Sequence, residues 1–145
     1  MEQEWMPFII SIKTALTATM ITFFLGIFAA NKINKINPKH KGILDSLFTL
    51  PMVLPPTVIG FFLLVILGRN GFIGKLLYSI GINVIFSWGA TVIAAVVVSF
   101  PLMYSTAKGA FEQIDKNILN AAQTMGVSSF KIFWKIMIPL AWPGI

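Results

Sequence analysis

The stretch 8–30, FIISIKTALTATMITFFLGIFAA, constrains this chain more than any other, because it is almost wholly apolar with Lys13 as its one charge. A helix of that length, at about 1.5 Å per residue, crosses a hydrocarbon core of roughly 30 Å. In lipid every backbone donor and acceptor must be satisfied internally, which a helix does within one segment. The rest of the chain agrees: 57% of its 145 residues are hydrophobic and the mean hydropathy is +0.84, too apolar for an ordinary soluble domain. The expectation is an all-α fold, a polytopic bundle of transmembrane helices that forms a single domain over 1–145.

A second apolar segment, 43–67, is interrupted by Pro51, Pro55 and Pro56, with Gly60 beyond. Each proline removes a backbone donor and crowds the preceding turn, so a straight helix is not expected. The carbonyl freed at Leu47 must look into protein or a wet cavity, and Pro55 or Pro56 suits the first turn of a restarted helix. Two readings stand side by side: a packing kink, or a substrate contact formed by Pro51, Pro55, Pro56 and Gly60. A third span is expected over 87–106, with Gly89, Ala90, Ala94 and Ala95 permitting close helix approach. After Pro139 the chain is apolar again, LAWPGI, which reads as a fourth span starting at 140 and truncated at Ile145.

The net charge of +6 is distributed as the positive-inside rule demands, not as a nucleic-acid surface. Of the eleven Lys and Arg residues, Lys32, Lys35, Lys39, Lys41, Lys108, Lys116, Lys131 and Lys135 fall in two segments. Both are therefore expected in the cytoplasm, with the N-terminus outside. The opening MEQEWMP is acidic where a signal peptide needs positive charge, so the first span is expected to remain uncleaved. Lys13 is expected to snorkel, and His40 to be a solvated residue of the basic linker NKINKINPKHKG. The segment 68–87, with Arg69, Asn70, Lys75 and Asn83, is placed outside. Its GRNGFIGK departs from a phosphate-binding loop: Arg69 stands at a required glycine and Leu76 at a required Ser or Thr. Arg69 and Lys75 are either contacts for an external protein or plain turn charges. The absence of cysteine excludes disulfides and thiolate metal centres.

The stretch 115–139, DKNILNAAQTMGVSSFKIFWKIMIP, is polar and amphipathic. Asp115 is a cap for a helix with Ile114, Ile118, Ala122 and Met125 on one side and Lys116, Asn120 and Gln123 on the other. Gly126 stops that helix, and Ser128 or Ser129 caps a second. There Phe130, Phe133, Trp134 and Met137 share a stripe, with Lys131 and Lys135 on another face.

Asn120, Ala121, Ala122, Gly126, Ile136 and Pro139 have the spacing of the glutamate-alanine-alanine signature, and the stretch resembles the cytoplasmic coupling loop of binding-protein-dependent ABC importer permeases of the type I kind. Asn120 replaces the glutamate and Ile138 a leucine, so a side-chain hydrogen bond takes the place of an ion pair. A narrower resemblance lies in TLPMVLPPTVIGFFLLVILGRNGFIG, Phe86-Ser87-Trp88 and Ser99-Phe100-Pro101-Leu102-Met103. These are similar to molybdate ABC transporter permeases, over nearly the whole chain from Pro7 onward. The resemblance implies a coupling loop over 108–139, a permease homodimer, an ABC ATPase subunit carrying ATP and Mg, and an extracytoplasmic molybdate-binding protein. It implies molybdate, and tungstate with it, as cargo.

The residues fit that implication. No paired carboxylates, no nucleophile beside a histidine and no metal-ligand cluster occur, so the chain is expected to be no enzyme and to bind no cofactor or metal of its own. A secondary transporter needs ionisable groups in mid-membrane, whereas Lys13 and Asp45 are both peripheral. Energy is then expected to enter mechanically through the amphipathic loop. The rival readings are a permease for sulfate or another oxyanion, a non-conducting membrane scaffold, and an amphipathic pair lying on the inner leaflet.

Overall fold

The computed structural model describes residues 2–81 and 84–145, so Asn83 lies outside the described residues. Every regular element among them is helical: α1 (Glu2–Asn34), α2 (Pro38–Val53), α3 (Pro56–Leu67), α4 (Phe72–Ser79), α5 (Trp88–Glu112), α6 (Lys116–Thr124), α7 (Ser129–Ile132) and α8 (Ile138–Ala141). A π turn, Phe133–Met137, joins α7 to α8. The chain is thus an all-helical bundle, and two of its helices, over Trp5–Asn34 and Trp88–Glu112, are long and apolar enough to cross a membrane alone.

Pairwise contacts fix how α1 and α5 lie. Trp88 Nε1 donates to Thr14 Oγ1 at 2.9 Å, Thr22 Oγ1 and Ser99 Oγ share a hydrogen bond at 3.0 Å, and Gly26 faces Met103. Residue numbers rise together on both helices, so the two run parallel. The chain must therefore return between them, and α2 with α3 makes that crossing. Leu54 precedes Pro55, and Pro55 precedes Pro56; each is pushed into extended backbone, with ψ of 141° at both. The axes of α2 and α3 consequently differ by 111°. What the sequence marks as one interrupted span, 43–67, is two helices set at a steep angle.

Further boundaries differ from the sequence expectation. The third span does not stop at 106: α5 runs on to Glu112, so the first residues of 108–139 belong to it. The basic linker is mostly helical, and His40 is an exposed residue in the first turn of α2. Lys13 does more than snorkel, since its Nζ lies 4.6 Å from the Trp88 ring centroid, a cation–π contact. The tightest approach of α1 to α5 is not at Gly89, Ala90, Ala94 or Ala95, which stay half-buried. It lies lower, at Gly26 and Ala30 against Met103 and Ala107, where Ala30 and Ala107 are 0% exposed. Gly26 and Ala30 are four residues apart on one helix face, the small-xxx-small spacing that lets spans meet closely.

The buried core gathers at the end of the bundle where α1 and α5 finish. Ile27, Ala30 and Ile33 from α1 meet Tyr104, Ala107, Ala110 and Phe111 from α5, and Ala122, Ile132, Phe133 and Met137 close over them. Both lysine-bearing segments belong to this same end.

A Cβ on Gly26 would sit 2.6 Å from Met103 Cγ and 3.2 Å from the Met103 backbone carbon. Gly26→Leu is therefore expected to force α1 from α5 and lower stability by about 1–3 kcal/mol, the usual cost of overpacking. Gly42→Ala, at a position with nothing within 4 Å, is expected to be neutral or slightly stabilising. Thermal unfolding in detergent checks both.

Candidate functional site

The stretch 115–139 is a built corner. Asp115 caps α6 with its carboxylate, which accepts from Asn117 N at 2.8 Å. The helix ends in a Schellman turn: Gly126 N donates to Gln123 O at 3.0 Å and Val127 N to Ala122 O at 3.1 Å. Gly126 sits at φ +75°, a left-handed conformation that costs an L-residue roughly 1–2 kcal/mol. Ser128 occupies the cap position of α7, without a side-chain cap bond. Pro139 then has no N–H for the Lys135 carbonyl and its ring crowds it. The preceding turn widens to a π turn, in which Ile138 N donates to Phe133 O.

Within this corner the signature residues divide. Ala122 is buried at 2% exposure and anchors α6 to the core, while Asn120, Ala121 and Gly126 are exposed and Ile136 is half-buried. Pro139 is exposed as well. The apolar faces expected from periodicity are split. Ile114 and Ala122 face inward but Ile118 and Met125 outward; Phe133 and Met137 are buried, whereas Phe130 is 72% and Trp134 42% exposed. Phe133 is the pivot, with its ring 6.0 Å from Phe28, 6.2 Å from Phe111 and 5.3 Å from Trp134. Outside it, Phe130 and Trp134 pair at 6.3 Å. The corner therefore presents Asn120, Ala121, Met125, Gly126, Phe130 and Trp134 outward on a base locked to α1 and α5.

Of the candidate substrate-contact residues, Pro51 lies inside α2, Pro55 is the cap and Pro56 the first residue of α3. Gly60 lines an apolar groove of about 660 Å³ between α1, α3 and α5, together with Ile10, Leu64, Phe86, Trp88 and Ala94. The structure does not bring Pro51, Pro55 and Pro56 into that groove's lining. Beyond it, a Cβ on Gly71 or Gly74 would strike the carbonyls that end α3, so these glycines let α4 fold back on α3. GRNGFIG is a helix-reversal turn. Arg69 is engaged within it, donating to Tyr78 Oη at 3.0 Å and covering that ring at 4.7 Å, while Lys75 is exposed.

Sequence reasoning missed an ion cluster at the lysine-rich end. Lys108 Nζ contacts Asp45 Oδ2 at 2.5 Å, the buried Tyr104 hydroxyl donates to Asp45 Oδ1, and Lys41 Nζ contacts Glu112 Oε1 at 2.8 Å. Lys41 also donates to Asn34 Oδ1 at 3.3 Å, and Lys108 lies 4.0 Å from Glu112. The signal was present in the spacing: Lys41 and Asp45 are four apart, as are Tyr104, Lys108 and Glu112, so each set forms one stripe on its helix. Asp45, near the lysine-rich end of the bundle, is thus a held carboxylate.

Comparison with known proteins follows this geometry. Residues 22–145 match the family described as binding-protein-dependent transport system inner membrane component. The chain is 41% identical over 145 residues to the molybdenum transport system permease protein ModB of Escherichia coli K12, covering 99% of this chain and 63% of that protein. It is 43% identical over 140 residues to the putative molybdenum transport system permease protein YvgM of Bacillus subtilis, covering 96% and 62%. A probable sulfate transport system permease protein cysT of Chlorokybus atmophyticus is 34% identical over 138 residues, covering 95% and 48%. The chain spans less than two thirds of the length of these relatives. With the helical bundle and the Gly126 corner on one side and the match over 22–145 on the other, the chain belongs to the family of binding-protein-dependent transport system inner membrane components.

Proposed function

We propose that this chain is the membrane-spanning part of an ATP-driven importer of molybdate, with tungstate as a second cargo. The observation that carries the proposal is the outward ridge of Asn120, Ala121, Gly126, Phe130 and Trp134 standing on a buried Ala122 and Phe133. Such a ridge fits a groove on a separate ABC ATPase, which supplies ATP and Mg; this chain holds no cofactor. Asn120 offers the ATPase a carboxamide, able to donate and accept, in place of a carboxylate. ATP-driven closure moves the corner, and the packed core passes the displacement to α1 and α5 as a rigid body. Two copies of the permease face one another, an extracytoplasmic binding protein delivers the oxyanion, and the lysine-rich end with the corner is cytoplasmic.

Two observations support this over the rival readings. The corner's Ile132, Phe133 and Met137 are buried in protein, unlike the lipid-facing side of a helix pair lying on a leaflet. The identities to two of the molybdenum permeases, 41% and 43%, exceed the 34% to the sulfate permease, while other molybdenum permeases match at 32–34%. The match to the sulfate permease keeps one second reading in play, a sulfate permease, since tetrahedral oxyanions share charge and shape.

Three experiments test the proposal. The chain has no cysteine, so a single thiol introduced at the exposed Gln123 reports its side of the membrane. A membrane-impermeant maleimide is expected to leave it unlabelled in intact cells, and ready labelling from outside would overturn the topology. In the full-length permease assembled with its ATPase and binding protein, molybdate uptake is expected to be competed by tungstate and not by sulfate. Gly126→Val, which strains the left-handed turn, is expected to lower both uptake and substrate-stimulated ATP hydrolysis about 5–30-fold. Unchanged values for both rule out docking through this corner.

A further inference from the structure

The ion cluster lies between the two parts of the molecule that the importer reading needs to connect. Glu112 and Lys108 stand in the last turns of α5, and Asp115, the cap of α6, comes three residues after Glu112. Asp45 stands in α2, six residues before Pro51 and the bend of 111°. Along the contact the partners pair in opposite directions. Lys41 meets Glu112, Asp45 meets Lys108 and Tyr104, and Phe48 packs on Tyr104 at 5.2 Å and on Phe100 at 5.4 Å. The result is an antiparallel zipper of alternating charge that closes on an aromatic cluster. Apolar helix faces have many near-equivalent registers, whereas two charge pairs and a hydroxyl donor select one. Both oxygens of Asp45 are engaged by α5 side chains one turn apart, so sliding α2 along α5 by a turn would break both contacts at once.

We infer that Asp45 is a positioning residue for transport: by holding Lys108 and Tyr104 it makes the broken crossing follow α5 when the coupling corner moves. The inference rests on the importer reading and deepens it. It assigns Asp45, Tyr104 and Lys108 the job of transmission, distinct from docking and from contact with the oxyanion. Loss of the carboxylate then leaves the ATPase side responsive while the bend no longer follows, so hydrolysis and import come apart. A role confined to folding lowers both together.

The test uses the full-length permease with its ATPase and binding protein in proteoliposomes, reading molybdate imported per ATP hydrolysed. Asp45→Asn, which keeps the size and removes the charge, is expected to lower that ratio about tenfold, within the 5–150-fold range common for coupling between sites. Binding-protein-stimulated hydrolysis is retained in that variant, and Asp45→Glu restores most of the ratio. Tyr104→Phe removes only the hydroxyl from a buried ring and is expected to lower the ratio about fivefold, the order of one hydrogen bond; it decides the matter if Asp45→Asn fails to assemble. An unchanged ratio in Asp45→Asn, or in Tyr104→Phe when the former does not assemble, overturns the inference. A parallel fall of import and hydrolysis leaves that ratio unchanged and overturns it too. Wild-type vesicles that hydrolyse ATP and import neither molybdate nor sulfate sink the importer reading itself, before any variant is compared.

Discussion

The close seating of α1 on α5 is the contact from which the rest of the architecture follows. Between spans in lipid there is no hydrophobic drive, so dispersion and interhelical hydrogen bonds must hold them, and both need the backbones near one another. Gly26, Ala30 and Ala107 provide that nearness at one end. The Thr22–Ser99 and Trp88–Thr14 hydrogen bonds provide it further along. Because α1 and α5 run parallel, everything between them is obliged to cross back. The irregular segment at Leu54, Pro55 and Pro56 is the form that crossing takes.

The same contact explains why the polar corner is rigid. Short helices of nine and four residues, α6 and α7, have little stability of their own. They are held by inserting Ala122, Ile132, Phe133 and Met137 into the floor that α1 and α5 build. The left-handed Gly126 and the π turn before Pro139 are local departures from helix geometry that this floor sustains. The outward Asn120, Ala121 and Trp134 are thus joined to α1 and α5 through the buried Ala122 and through Phe133, whose ring meets Phe28 and Phe111.

Charge is used sparingly, and the ion pairs among the described residues lie at one level of the bundle. Asp45, Lys108, Lys41 and Glu112 pair across α2 and α5 near the lysine-rich end, each partly exposed, so neither a bare charge in lipid nor a fully desolvated pair arises. At the other end Arg69 is taken up by Tyr78 and Lys13 by Trp88. The sequence has Lys13 snorkelling and Arg69 either meeting an external binding protein or standing as a plain turn charge. Local patterning places a charge near a span end but does not say which aromatic ring from another helix lies over it.

Read alone, the sequence determined the helical class, the proline break, the cap at Asp115 and the stop at Gly126. Each of these follows from forces that act within a few residues: backbone satisfaction in lipid, a missing N–H, a carboxylate beside free amides, a left-handed φ. The tertiary structure alone decided that α1 and α5, already parallel by the placement of charge, pack directly on one another and that their nearest approach is at Gly26 and Ala30. It alone also decided that Phe133 turns inward while Phe130 and Trp134 turn outward, and that Asp45 answers Lys108. Those outcomes depend on which helix faces meet, and helical periodicity lists the faces of each segment without pairing them.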